Sequence, residues 1–193
     1  MKRITWCAGV VILLFWGITE AAQPAGMVLY YQSGGEVYLL LAEHAESARG
    51  WAGFGGNGDD GETVAETAAR EAEEETRGYF KRAQMLQKIN GQFPVVEGNF
   101  STYFIEVAFV PAQRVMNNPV PDGNAAYLER STFAWIPYSV IEGFLKEDID
   151  RTRTYLMDHL FLPAGSQTQW LWTAWLRSMR KAMTIHALPW QAK

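Results

Sequence analysis

The chain has 193 residues, enough for one domain with a full-sized core, and its 48 % hydrophobic and 13 % aromatic content excludes a disordered protein. A formal net charge of −4 argues against the basic face of a general nucleic-acid binder, so no nucleic acid is expected among its partners. Residues 1–22 stand apart. Lys2 and Arg3 make a short positive start, Cys7–Ile18 is an uncharged apolar run, and Thr19-Glu20-Ala21 or Glu20-Ala21-Ala22 offers a small-residue cleavage site. That layout predicts a secretory signal peptide over 1–22 and an exported protein, periplasmic or secreted. The run is short for a membrane span, which needs about 20 apolar residues. An uncleaved anchor and an N-terminal element of the domain are the alternatives. The sole cysteine, Cys7, lies inside this segment, so a cleaved chain has no disulfide and no thiol chemistry.

Ala25–Gln32 and Glu36–Ala42 are β-rich runs around Ser33-Gly34-Gly35, a hairpin signal. Trp51–Phe54, with Trp51 and Phe54 read as packing residues, leads into a loop containing Gly55, Gly56, Gly58 and Gly61. A helix follows. Thr63 and Glu66 form a capping box, Val64, Ala65, Ala68, Ala69 and Ala72 supply a small-residue inner face, and Gly78 is the expected C′ stop. The second half of this helix carries too much negative charge. Glu71, Glu74 and Glu75 stand at i, i+3 and i+4 on one face, with Glu73 beside them, near the negative end of the helix dipole. Like charges at that spacing repel, and Arg70 and Arg77 cannot neutralise four carboxylates. A hard divalent cation with oxygen ligands, Mg²⁺ or Mn²⁺, would resolve the repulsion; a solvated acidic face is the competing explanation.

The spacing narrows the choice. Gly56, five residues, Glu62, seven residues, then Arg70-Glu71-Ala72-Glu73-Glu74-Glu75 and Gly78-Tyr79 resembles the Nudix box. One residue is extra: Thr76 and Arg77 separate Glu75 from Gly78 where the pattern allows one, which predicts a longer last turn. The resemblance implies an α+β Nudix fold, an α/β/α sandwich around a mixed β-sheet. It implies Mg²⁺- or Mn²⁺-dependent hydrolysis of a nucleoside diphosphate linked to another moiety. Carried onto this sequence, Glu74 and Glu75 are metal ligands, Glu71 is a ligand or general base, and Gly55 offers its carbonyl to the metal. Arg70 orients a carboxylate with Glu62 as its partner, Gly56 and Gly78 are supporting positions, and Glu73 points away. Many members of the family supply a further acid from beyond the box, for which Glu106 and Glu97 are the candidates. Against the enzyme stand a non-catalytic Nudix-fold binding module, which usually lacks box carboxylates, and an envelope-associated interaction protein.

Beyond the box, Lys81–Asn90 reads as a short helix or irregular crossover and Gly91–Gly98 as a loop. Phe100–Val110 is a strand with Tyr103, Ile105, Val107 and Phe109 on one face and Phe104, Glu106 and Ala108 on the other. A solvent-facing edge position is the alternative account of Glu106. Pro111–Asn124 reads as a long loop, Phe133–Pro137 as a short strand, and Ser139–Leu145 as the helix that closes a Nudix domain over 23–145. The remainder, 146–193, is a helical extension, with Ile149–Leu160 helical and Thr168–Met183 an amphipathic helix. Its Trp-rich, basic face suits docking on its own domain, a membrane surface, or a homodimer contact. His44, His159 and His186 are read as surface or ordinary polar residues, not ligands.

Overall fold

The two runs flanking Ser33-Gly34-Gly35 pair as their turn chemistry requires. In the computed structural model, which describes residues 22–45, 49–121 and 123–191, β1 (Ala25–Ser33) and β2 (Glu36–His44) are antiparallel with Ser33 opposite Glu36. Gly34 and Gly35 take φ of 60° and 82°, the positive values of a two-residue hairpin turn. β1 is the sheet's organising strand. One edge pairs in parallel with β6 (Phe100–Glu106), and the other pairs antiparallel with β2 and then with β4 (Phe54–Gly56). β2 continues to β3 (Trp51–Ala52) and to β7 (Arg130–Pro137), while β5 (Val95–Glu97) forms the far edge on β6.

Apolar residues alternate along these strands, and each set meets helices. Met27, Leu29, Leu40, Tyr103, Ile105 and Phe133 pack against α1 (Val64–Glu75) and α2 (Arg82–Ile89). Val28, Leu39, Leu41, Phe104 and Ile136 pack against α4 (Tyr138–Leu145) and α5 (Thr173–Thr184). The result is an α+β fold with a mixed sheet between helices, as the resemblance implies. Ala68, Ala69 and Ala72 are fully buried, so α1 lies close on the sheet and its polar side is held at the mouth of β4. Trp51 and Phe54 are buried packing residues.

Several sequence expectations need correction. Gly91–Gly98 is not all loop, because Val95–Glu97 pairs with β6 through a turn at Gly98. Pro111–Asn124 contains a short helix, α3 (Ala112–Met116). Ile149–Leu160 is not helical. Asp150 accepts from the Thr152 N–H and hydroxyl at 2.8 Å each, an Asx turn that competes with helix, and β8 (Tyr155–Leu156) and a 3₁₀ turn (His159–Phe161) follow. α5 begins at Thr173, not Thr168. Glu43, fully buried, accepts from the Gln167 and Thr168 amides, and the Trp172 N–H reaches the Trp51 carbonyl at 2.9 Å, so Trp170–Leu171 becomes β9 on β3. The end of α1 also differs. The C′ residue is Arg77, in the left-handed region at φ 54°, and Gly78 is one further on at φ 70°. Gly78 N–H bonds Glu73 O at 2.6 Å and Arg77 N–H bonds Glu74 O at 2.9 Å, a Schellman closure that absorbs the extra residue. The leader expected over 1–22 lies outside the described residues, apart from Ala22. No described helix is long and apolar enough to cross a membrane. The apolar stripe of α5 (Trp175, Leu176, Met179, Ala182) is buried in the chain's own core.

Candidate active site

The site starts from the N-terminus of α1. The Thr63 N–H donates to Glu66 Oε2 at 2.9 Å and the Glu66 N–H to Thr63 Oγ1 at 3.3 Å, which fixes the helix start and hence the angular position of every carboxylate after it. Arg70, one turn on, uses its whole guanidinium fork. Nε donates to both Glu62 oxygens at 3.0 and 3.1 Å, Nη1 to Glu71 Oε1 at 3.0 Å and Glu74 Oε2 at 2.8 Å, and Nη2 to the Asn57 carbonyl at 2.7 Å. One side chain therefore ties the glycine loop to the helix and sets the separation of three carboxylates. Glu73 faces elsewhere, accepting from the Arg82 N–H at 3.0 Å and pairing with Lys81.

The glycines are spatial requirements. A Cβ on Gly56 would stand 2.5 Å from Glu71 Oε1, so the Glu71 carboxylate lies flat on that backbone. A Cβ on Gly55, at φ 153°, would stand 2.7 Å from the Gly26 Cα, because β4 and β1 touch there through two glycines. Burial, with the neighbouring Glu75 charge next, pushes the Glu71 carboxyl up to about 7 against the pull of Arg70.

Glu75 has a partner that no motif announced. It is 2 % exposed, and Arg130, 1 % exposed at the start of β7, donates Nε to Oε1 at 2.8 Å and Nη2 to Oε2 at 3.0 Å. The Gly55 N–H adds a third bond to Oε2 at 2.7 Å, and Arg130 Nη2 also reaches the Gly53 carbonyl at 3.0 Å. Burial pushes the Glu75 carboxyl up, with the guanidinium and the Gly55 amide opposing it. A register shift between Ala42 and His44 sets His44 opposite Arg130. His44 is thus a buried residue, not a surface one; burial, then Arg130, then Arg49 depress its imidazole to about 3 and keep it neutral. His159 and His186 are exposed. Arg130 stands in an ordinary polar stretch, Glu129-Arg130-Ser131, and only the pairing of its strand with His44 brings it in.

Of the two further acids, the fold brings one near. Glu106 is exposed and lies opposite Tyr30, whereas Gly55 lies opposite Gly26, four residues earlier on β1, or about 13 Å at strand rise. Glu97 ion-pairs with Arg177 of α5 and lines a cavity of about 250 Å³ with Gly53, Phe54 and Gly55. Its walls also include Phe100, Thr102, Trp172 and Trp175, with Arg151 and Arg177.

A divalent cation fits this donor set chemically. Four carboxylates (Glu62, Glu71, Glu74, Glu75) face Arg70, Arg130 and the half-exposed Arg82, and Glu71 and Glu74 share the single nitrogen Nη1 of Arg70. Hard oxygen donors in excess of the cations beside them suit Mg²⁺ or Mn²⁺. Among the described residues, no group of three or more His, Cys, Asp or Glu is arranged to hold a metal ion, since these carboxylates are directed onto the guanidinium groups.

The NUDIX domain model matches residues 22–160, which include the whole of this site. No curated protein matches the chain. Among solved structures, the C. elegans Ap4A hydrolase in a binary complex is 18 % identical, over 65 % of this chain and 85 % of that one, with a TM-score of 0.41. A MutT/nudix family protein from Enterococcus faecalis is 14 % identical, over 61 % of this chain and 44 % of its own, with a TM-score of 0.40. With the family's model spanning well over half of its length and the box residues gathered around Arg70, the chain belongs to the Nudix family.

Proposed function

We propose that this protein hydrolyses a phosphoanhydride bond in a nucleoside diphosphate linked to another moiety, with Mg²⁺ or Mn²⁺ as cofactor. The observation that carries this reading is the sharing of Arg70 Nη1 by Glu71 and Glu74 beside the glycine loop, on a guanidinium that Glu62 also engages, so that three carboxylates meet on one cation. Glu75 and the Gly55 carbonyl would hold the ion together with Glu71 and Glu74. When bound, it supplies attraction for an anionic diphosphate, an activated water and charge stabilisation on the non-bridging oxygens. Arg70 orients both carboxylates, Glu62 anchors Arg70, and Gly56 leaves the space in which the Glu71 carboxylate lies. The cavity between Gly55 and α5 suits the non-phosphate part of the substrate. Phe54, Phe100, Trp172 and Trp175 give it aromatic surface, and Arg151 adds positive charge beside the Arg177–Glu97 ion pair.

The test is release of phosphate products from a panel of diphosphate compounds by the purified chain with Mg²⁺. Glu74→Gln removes one carboxylate charge at a partly exposed position and is expected to abolish turnover without unfolding the chain. Turnover equal to the wild type would defeat the reading. The leader-like residues 1–22 extend it to a substrate available outside the cytoplasm. Cell fractionation with mass measurement of the mature N-terminus tests that part, and an intact Met1 on cytosolic protein would defeat it.

A further inference from the structure

The cavity beside Gly55 is lined by two residues whose polar groups the protein leaves unpaired, the Thr102 hydroxyl on β6 and the Trp175 indole N–H on α5. We propose that these two groups read the edge of the substrate's nucleobase, so that this chain selects its substrate with one residue of the sheet and one of α5. The inference rests on the reading above that the cavity takes the non-phosphate moiety; it names the part of that moiety that enters and the residues that select it. Trp175 stands beyond residue 160, where the match to the family's model ends, so half of this reader lies outside the matched stretch.

Three observations support it. Thr102 is 3 % exposed and Trp175 7 %, and among the described residues neither polar atom has a hydrogen-bond partner. Leaving a buried donor unpaired is unfavourable, and two such groups on residues of one cavity wall mark a place where a ligand supplies the missing partners. Second, the packing around them explains why they are spare. Thr102 lies opposite Gly26 on one side and Val95 on the other, neither of which has a polar side chain. A Cβ on Gly53 would stand 2.9 Å from Trp175 Nε1, and the Gly53 carbonyl already accepts from Arg130. Trp51 and Trp135, by contrast, place their indole N–H on the Thr168 and Val110 carbonyls at 3.1 and 2.7 Å. Rotation about χ1 exchanges the hydroxyl and methyl positions of Thr102, so its donor can follow a ligand. Third, the surroundings fit a flat ring. Phe54, Phe100 and Trp172 offer aromatic surface, and Glu97 and Arg177 engage each other. A base has apolar faces that stack on aromatic rings and keeps its acceptors at its edge. A sugar carries hydroxyls around its whole ring and would leave several of them unpaired against Met27, Val28, Phe54 and Phe100. The indole N–H only donates and the hydroxyl does both, so the pair demands an acceptor, a ring nitrogen or a carbonyl oxygen.

The experiment is a calorimetric titration of the full chain, with Mg²⁺ present, by adenosine, guanosine, cytidine and uridine monophosphates and by ribose 5-phosphate as the base-free probe. At least one of the four nucleotides is expected to bind about tenfold or more tighter than ribose 5-phosphate, the scale of stacking one base. Thr102→Val keeps the shape of the side chain and removes the hydroxyl. It is expected to weaken that nucleotide by about tenfold while Tm falls no lower than in the wild type, because the group deleted had no partner in the protein. Trp175→Phe keeps an aromatic ring without the N–H; it is expected to show the same loss of affinity, and it carries the test should Thr102→Val fail to fold. Ribose 5-phosphate binding as tightly as every nucleotide would overturn the inference. A nucleotide Kd that stays within about twofold of wild type in the folded variants would overturn it as well, since a merely structural role moves Tm and not Kd. The hydrolase reading fails separately: a chain that prefers one nucleotide, and loses that preference in these variants, yet turns over no diphosphate compound keeps the base reader and loses the enzyme.

Discussion

His44 gives the fold a calculable acid sensitivity. Its ring is 8 % exposed, its Nε2 has no hydrogen-bond partner, and the positive charges of Arg130 and Arg49 face it. The folded pKa is therefore about 3, below the ordinary histidine value of about 6.5 that applies in the unfolded chain. The sign follows from proton counting. Above about pH 6.5 both states hold a neutral ring and His44 imposes no penalty. As pH falls below 6.5 the unfolded chain takes up a proton that the folded chain refuses until near pH 3, so stability declines across that window. At pH 5 the difference amounts to about 2 kcal/mol, since each pH unit below the unfolded pKa is worth about 1.4 kcal/mol. His44→Phe removes the titration and the unpaired Nε2 while keeping an aromatic ring for the edge-on contact with Trp172, now at 5.7 Å between centroids. Urea unfolding at pH 8 and pH 5 measures both proteins. The wild type is expected to lose about 2 kcal/mol more than the variant between those values. Curves that stay parallel to within about 0.5 kcal/mol would refute the claim that the neutral ring is locked in beside two guanidinium groups.

The legible part of this molecule was the part governed by local rules. Thr63 and Glu66 announce the start of α1, the alanines announce which side faces the sheet, and the glutamate spacing follows from 3.6 residues per turn. The Gly34-Gly35 hairpin and the two-sided strand at Phe100 follow equally from turn chemistry and alternation. What escaped depends on contacts between residues far apart. Arg130 is 55 residues from Glu75, and Glu43 is 124 residues from Gln167, so neither pairing has a period or a motif. The same holds for the cavity, whose walls come from β1, β4, the β5–β6 hairpin and α5. Ile149–Leu160, expected to be helical, is not, because Asp150 and Asp158 turn the backbone onto their own side chains. Glu106 looked suspicious as a charge within an apolar strand, yet it is exposed at the end of β6 away from Gly55.

Arg70→Lys keeps the charge but not the fork, so the contacts to Glu62, Glu71, Glu74 and Asn57 cannot all be kept. A loss of two charged hydrogen bonds, about 3 kcal/mol, should lower Tm by roughly 6–12 °C in calorimetry, and a shift under about 2 °C would contradict the hub role. Ala69→Leu adds bulk where α1 lies on the sheet with no exposed surface, and should cost about 1–3 kcal/mol in urea unfolding; a neutral result would mean that the helix can back away. The third variant tests the cavity. Ala174 lines it from α5 yet is itself exposed, so Ala174→Trp can fill much of the roughly 250 Å³ without disturbing the core. Stability should then stay within about 0.5 kcal/mol of wild type, as for other surface changes. If the non-phosphate moiety sits between Phe100, Trp172 and Trp175, the KM for nucleoside-containing diphosphates rises by about tenfold or more, the scale of losing one well-packed ring contact. A short polyphosphate, which has nothing to place there, is hydrolysed as before. Equal kinetics of wild type and Ala174→Trp on every substrate would mean that the moiety binds elsewhere, and the aromatic walls would then be only the seam between α5 and the sheet.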